Sequence, residues 1–307
     1  MAKIRIGTRD SQLAIWQAVL LQKLLLDKGV ESELVHIKSE GDLNTKDMLH
    51  TMSTVGVFTK ALDDALLANR IDMAVHSCKD MPTVLTDGLH LGAYLKRDEP
   101  EDVLVLPEGV AGISEEDFTT SQTIGTGSLR RKAQWLSRYP NHQVDNLRGN
   151  VNTRLKKLNE SNWLGAIFSK SGLSRLNILP ASSIDLDWMV PAPAQGVVAV
   201  VCRSGDEHIR ALLGQINHQE TALTSAIERS FLNVLEGGCS APIGAKADVL
   251  NGQIHFHGTL HNPAGTNKVE VKRVADIDDA DKLGAEAAAE VLSNGGEAIL
   301  NEIRNQE

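Results

Sequence analysis

The chain has 307 residues, 42% of them hydrophobic and 23% charged, with a formal net charge of −9 at neutral pH. That length accommodates two or three domains with ordinary hydrophobic cores. No apolar run approaches the roughly 18 residues of a membrane helix, and the three cysteines (Cys78, Cys202, Cys239) are too scattered for a disulfide frame or zinc spacing, so no metal is expected. The opening MAKIRIGTRD enters a strand-like pattern with no signal-peptide core, so the expectation is a cytoplasmic, soluble protein with free thiols. The charge is uneven. From Ser121 to Arg175 there are ten Lys/Arg against Asp145 and Glu160, a balance of +8 that leaves −17 elsewhere. A basic middle in an acidic chain points to a local anion site. The acidic remainder would repel nucleic acid outside the patch, so a compact ligand with several carboxylates or phosphates fits better.

In chain order, KIRIGT reads as a strand and SQLAIWQAVLLQKLLLDKG as an amphipathic helix, with Ser11 as N-cap and Gly29 as stop. SELVHIK is a second strand, FTKALDDALLANR a second helix and IDMAVHS a third strand. This alternation predicts a parallel sheet flanked by helices over residues 1–95, with ligands bound at the carboxyl ends of strands, where GTRDS and HSCKD lie. Residues 99–192 repeat the arrangement: TIGTGS is strand into turn, LRRKAQWLSRY a helix, HQVDNLRGN strand into turn, VNTRLKKLN a helix and LGAIFSKSG strand into helix start. VPAPAQG marks a crossover, and GVVAVVCR is a strand expected to rejoin the first sheet, giving a first domain of residues 1–95 and 196–214. From 218 to 307 the pattern becomes α+β: a long helix ending at Gly237 and Gly238, an Asn251-Gly252 hairpin, further strands and a helix over DADKLGAEAAAEVLSNGG.

The chemistry-bearing residues gather at strand ends. In GTGSLRRKAQ, small residues before a helix leave backbone N–H groups pointing outward, and Arg130 and Arg131 add guanidinium forks suited to carboxylates. Alone, these could be two solvated arginines. Similar pieces recur: Arg148 and Arg154 in LRGNVNTR, Arg175 in KSGLSR, and Arg9 with Ser11 in GTRDS. Arginines converging on one cleft repel each other unless a polyanion sits among them, which favours a polyanion site. Asp80 follows the third strand beside Lys79, where it either stabilises the turn or acts as acid, base or electrostatic partner. Cys239 follows a Gly-Gly helix stop in LEGGCSAPIG and reads as a reactive or modified thiol, whereas Cys202 in VVAVVCR reads as core.

The chain resembles the porphobilinogen deaminase (hydroxymethylbilane synthase) family. The resemblance is carried in order by IGTRDSQLAIWQA, GVFTKALDDALLANRIDMAVHSCKDMPT, KRDEPEDV, IGTGSLRRKAQ, LRGNVNTRLKKL, SGLSRL, PAPAQGVVAVVCR and LEGGCSAPIG, and it spans nearly the whole chain. It implies two periplasmic-binding-protein-like, doubly wound α/β domains, residues 1–95 with 196–214 and residues 99–192, plus an α+β cofactor-attachment domain at 218–307. It further implies a covalent dipyrromethane cofactor on Cys239, held by Lys79, Asp80, Thr126, Ser128, Arg130, Arg131, Arg148 and Arg154. Substrate would be bound by Arg9, Ser11, Arg148, Arg154 and Arg175, with Asp80 catalytic. The activity implied is head-to-tail joining of porphobilinogen onto that cofactor with loss of ammonia through a cationic azafulvene, then release of linear hydroxymethylbilane for tetrapyrrole and heme synthesis. A monomer with no metal, nucleic-acid or membrane partner is implied. The chain departs from the common family pattern at Thr51 and Val55, where lysines often stand, at Cys78 for methionine, at Ala194 for glycine and at Gly127 for serine; Lys46 or Lys60 could replace the lysines. The rival from another class is a non-catalytic binder of an anionic ligand in the same two-domain fold, against which Asp80 and Cys239 both count.

Overall fold

A computed structural model of the protein describes residues 3–38, 59–110, 112–114, 117–236 and 241–305. The first half contains β1 (Ile4–Thr8), α1 (Gln12–Leu26), β2 (Ser32–His36), α2 (Lys60–Leu67), β3 (Met73–Ser77), β4 (Leu89–Tyr94), β5 (Asp102–Val105), β6 (Thr123–Gly125), α3 (Leu129–Arg138), β7 (Gln143–Asp145) and α4 (Val151–Asn159). Then come β8 (Gly165–Ser169), α5 (Lys170–Ser174), β9 (Ile184–Asp185), β10 (Val198–Arg203), α6 (Glu207–Gly214), α7 (Gln219–Glu236), β11 (Ile243–Leu250), β12 (Gln253–His261), β13 (Lys268–Asp276), α8 (Ala280–Val291) and α9 (Glu297–Arg304). Packing divides the chain into two units, Met1–Asp98 with Gly196–Leu223 and Glu99–Gln195 with Thr224–Glu307.

The sheet of the first unit has the order β2-β1-β3-β10-β4. Ser11 caps α1 as its sequence position suggests, its Oγ accepting from the Ala14 N–H at 3.3 Å, and Gly29 follows the helix with φ +76°. β1 runs parallel to β2 and β3, as the strand–helix–strand reading requires. β10 does rejoin this sheet, but it runs antiparallel to both β3 and β4, so the sheet is mixed and not parallel throughout. A strand arriving from a distant part of the chain is not bound by the crossover geometry that makes β-α-β neighbours parallel. The core places Ile6, Met73, Val75, Val198, Val200 and Cys202 of the sheet against Ala18, Leu21 and Leu25 of α1 and Ile209, Leu212 and Leu213 of α6. Each large side chain buried there contributes roughly 1.5–3 kcal/mol.

The second sheet has the order β7-β6-β8-β5-β9. β6 is parallel to β7 and β8, and β5 antiparallel to β8 and β9. The third is an antiparallel meander, β11-β12-β13, whose first turn is the expected Asn251-Gly252 pair, with φ of +52° and +79°. The C-terminal α+β segment has this sheet of its own, and from Thr224 it shares a compact unit with the second sheet. The Ala245 N–H donates to the Pro191 carbonyl (2.9 Å), and Lys246 pairs with Glu101 (3.4 Å). Buried Glu228 of α7 accepts from the N–H groups of Ala194 (2.6 Å) and Ala247 (2.7 Å).

Candidate functional site

Each of the two units carries its own strand-end turns. In the first, β1 and β3 are parallel neighbours with Gly7 opposite Ala74, so their carboxyl ends lie side by side. Arg9 and Ser11 leave one; Lys79 and Asp80 leave the other in a short 3-10 turn, Cys78–Asp80. Asp80 is exposed and Lys79 half-buried. Buried Gln17 of α1 donates through Nε2 to Ser77 Oγ at 2.8 Å, tying the helix to the strand end that precedes Asp80. One residue earlier, His76 is buried, and burial together with the nearby Arg9 charge lowers its pKa to about 4. Its imidazole therefore stays neutral at physiological pH. At the end of β2, His36 Nδ1 lies 2.8 Å from Asp10 Oδ1.

In the second unit the turn between β6 and α3 carries Thr126 and Ser128. The Thr126 N–H donates to the Asp145 carbonyl (3.0 Å), and Thr126 Oγ1 accepts from the Ser128 N–H (3.3 Å). Ser128 caps α3, accepting from the Arg131 N–H at 3.4 Å. Arg130 and Arg131, in the first turn of that helix, are each only 6% exposed. The sequence expectation of mutually repelling forks held in place by a ligand needs correcting here, because the chain supplies a counter-ion of its own. Fully buried Asp102, first residue of β5, takes Arg130 Nη2 on one oxygen (2.8 Å) and Arg131 Nη2 (2.7 Å) and Nε (3.1 Å) on the other. Arg130 Nη1 donates to the Val190 carbonyl (2.8 Å), and Arg131 Nη1 to that of Ile167 (3.1 Å). Gln195 Nε2 adds a bond to Asp102 (2.8 Å). Burial alone would raise the Asp102 carboxyl pKa, but the Arg130 and Arg131 charges and the hydrogen bonds from Arg131 and Gln195 outweigh it and hold the group well below the usual carboxylate range. Two arginines and one aspartate leave this cluster with one net positive charge.

The remaining arginines lie after β7 and β8. Arg148 follows β7 and is exposed, its Nε on Asn146 Oδ1 at 3.4 Å. Arg154 is half-buried in the first turn of α4, which Asn150 caps by accepting from the Thr153 N–H (2.9 Å). Arg175 ends α5 and is buried. Thus Thr126, Ser128, Arg130, Arg131, Arg148, Arg154 and Arg175 belong to one unit, and Arg9, Ser11, Lys79 and Asp80 to the other. Cys239, Lys46, Thr51 and Val55 lie outside the described residues. Lys60 pairs with Asp64 on the exposed face of α2 (3.1 Å). Sequence reasoning missed Asp102 and Gln195. The signal for Asp102 was there in PEDVLVL: a carboxylate heading a wholly apolar strand needs buried cations. Among the described residues no cluster of His, Cys, Asp or Glu could hold a metal, and no helix is long and apolar enough to cross a membrane.

Residues 4–211 match the family model described as "Porphobilinogen deaminase, dipyromethane cofactor binding domain", and residues 222–293 match "Porphobilinogen deaminase, C-terminal domain". A porphobilinogen deaminase of Desulforamulus reducens is 39% identical over 306 residues, covering 98% of both chains. The chloroplastic porphobilinogen deaminase of Pisum sativum is 38% identical over 98% of this chain and 84% of its own. That of Syntrophomonas wolfei is 37% identical over 99% of this chain and 100% of its own. Among solved structures, the VFT2 domain of Bordetella pertussis BvgS aligns with a TM-score of 0.44 at 14% identity, over 69% of this chain and 85% of that one.

Proposed function

The chain belongs to the porphobilinogen deaminase family, and from that premise we propose that it is a hydroxymethylbilane synthase, joining porphobilinogen molecules into a linear tetrapyrrole with release of ammonia. The observation that supports this best is the second unit's set of cationic turns, built on a buried ion triad that leaves positive charge over. Acetate and propionate groups of pyrroles are the ligands such turns suit. A dipyrromethane cofactor would be held by Thr126, Ser128, Arg130, Arg131, Arg148, Arg154, Lys79 and Asp80, whose hydroxyls and charges suit its polar groups, with Cys239 as its covalent anchor. When bound, the cofactor supplies the pyrrole carbon on which elongation begins.

Arg9, Ser11, Arg148, Arg154 and Arg175 then bind substrate carboxylates. Ser11 already accepts a backbone N–H through Oγ, and its O–H is left to donate to a carboxylate. Asp80 carries the catalytic role. As ammonia leaves the incoming porphobilinogen, positive charge develops on the pyrrole, and the exposed Asp80 carboxylate, on meeting the ring N–H, would stabilise it. The same carboxylate can pass on the proton released when the new bond forms. We also assign the chain to the cytoplasm as a monomer, and retain α/β domains at 1–95 with 196–214 and at 99–192 and a cofactor-attachment domain at 218–307. The test is turnover of porphobilinogen by the purified protein with ammonia and product both measured. Stoichiometric release of both is expected. Tight binding of porphobilinogen with no ammonia released would contradict the proposal in favour of a non-catalytic binder.

A further inference from the structure

Trp163 stands just before β8, in the sequence SNWLGAIFS, where no reading of strand-end chemistry would single it out. It is half-buried and, like Val151 and Leu155 of α4, packs against the buried apolar cluster that includes Leu147 and Leu158. Its indole lies against Gly125, the last residue of β6, so closely that a Cβ at 125 would come within 2.3 Å of the ring carbon Cζ3. Its Nε1–H donates to Asp145 Oδ2 at 2.7 Å. Asp145 is the last residue of β7 and pairs in register with Gly125. One aromatic side chain therefore holds the ends of two adjacent strands.

Beyond those ends lie the two turns assigned above to carboxylate binding. The Asp145 carbonyl accepts the Thr126 N–H, so the residue gripped by the indole also holds the first turn. The turns press on each other: a Cβ at Gly127 would lie 2.6 Å from the Leu147 carbonyl oxygen and 3.4 Å from Asn146 Oδ1. That Asn146 oxygen receives Arg148 Nε. A shift of Asp145 relative to Gly125 thus displaces Thr126, Ser128 and Arg148 together. The indole bond ends on an exposed carboxylate, where a hydrogen bond adds little to global stability. Its effect lies in orientation, which matters most where several donors must meet one ligand at fixed spacing.

We propose that Trp163 is a positioning residue for the carboxylate-binding turns, aligning Thr126, Ser128 and Arg148 through its stack on Gly125 and its hydrogen bond to Asp145. This rests on the reading of those turns as the pyrrole-carboxylate site. The test compares holoenzymes of wild type, Trp163→Phe, Asp145→Ala and Asp145→Asn by KM and kcat for porphobilinogen and by melting temperature. Trp163→Phe keeps an aromatic ring but loses the N–H, and is expected to raise KM about three- to tenfold, the equivalent of one hydrogen bond's worth of alignment. kcat and melting temperature should stay near those of wild type. Asp145→Ala should reproduce that effect, and it carries the test alone if Trp163→Phe does not fold. Asp145→Asn, whose amide oxygen still accepts the indole N–H, should restore a KM within about twofold of wild type. KM unchanged in Asp145→Ala and in folded Trp163→Phe, or a fall in kcat with KM unchanged, overturns the assignment and leaves Trp163 a packing residue. A wild type without turnover overturns the functional reading itself, and this inference with it.

Discussion

The strand-end carboxylates of the two units face opposite surroundings. Asp80 is exposed on a three-residue turn, while Asp102 has no exposed surface and grips two buried arginines. An exposed carboxylate can meet a substrate and change its partners during a reaction. One locked in a buried triad cannot, but it fixes the two guanidinium groups it pairs with. One sequence pattern, a charged residue where a strand meets a turn, thus gives an exposed carboxylate in one unit and a buried counter-ion in the other; under the proposed function the first would serve reaction and the second preorganisation.

If that contrast holds, the two aspartates should fail differently when replaced. Asp80→Ala should lower kcat by about 10²–10³, the order of loss when one group that stabilises transition-state charge is removed. Because the side chain is exposed, the melting temperature should barely move. A variant retaining more than a third of wild-type turnover would remove Asp80 from the catalytic role. Asp102→Ala should instead act on folding. It strands two buried cations and should cost about 3–5 kcal/mol in denaturant unfolding. A loss below about 1 kcal/mol would show that the triad is not what fixes Arg130 and Arg131.

Acid separates the contributions further. The Asp102 carboxyl lies below its unfolded value, so its stabilisation is complete above about pH 4 and is lost only as the pH falls through its folded value. The buried histidines, His76 in the first unit and His261 in the second, act at higher pH. Burial lowers both to about 4; Arg9 adds to the effect at His76, and Lys268 and Arg130 at His261, where Glu270 opposes it. Between pH 6.5 and about 4 the unfolded chain takes up protons that the folded chain refuses. Stability therefore falls over that window as pH drops, by about 3 kcal/mol for each histidine. Urea unfolding of His76→Gln and His261→Gln at pH 7 and pH 4.5 checks this: each variant should show a shallower fall than wild type, and an unchanged fall would refute the buried-neutral assignment. The smallest expected effect is at the crossover. Ala194 has φ +58°, a region that favours glycine, so Ala194→Gly should stabilise by roughly 0.5–1 kcal/mol in the same assay. A loss of stability there would mean that the methyl group's packing outweighs the backbone strain.

Much of this was legible in the residues. Helix α1 is bounded by Ser11 and Gly29, and the hairpin by Asn251 and Gly252, because capping and turn chemistry are local. The strand VAVVCR could be expected in the first sheet because a continuous apolar run suits a position covered on both faces. Its direction could not, since strand direction depends on a connection that local pattern does not encode. β5 is four residues long, shorter than any periodicity can resolve, and with it went Asp102. The arginines were visible as residue types, but their counter-ion lies 28 and 29 positions away in sequence and only pairing in three dimensions joins them. Trp163 was silent for the same reason, as its partners Gly125 and Asp145 sit on two other strands.

Under the proposed function the arginines after β6 and β7 serve a pyrrole chain anchored to sulfur. Intact-mass measurement of wild type and Cys239→Ser after incubation with porphobilinogen tests it most directly. Wild type should carry the added mass of a dipyrromethane, alone or extended by further pyrrole units, and Cys239→Ser should carry none. An unmodified wild type, or equal adducts on both proteins, would contradict the account.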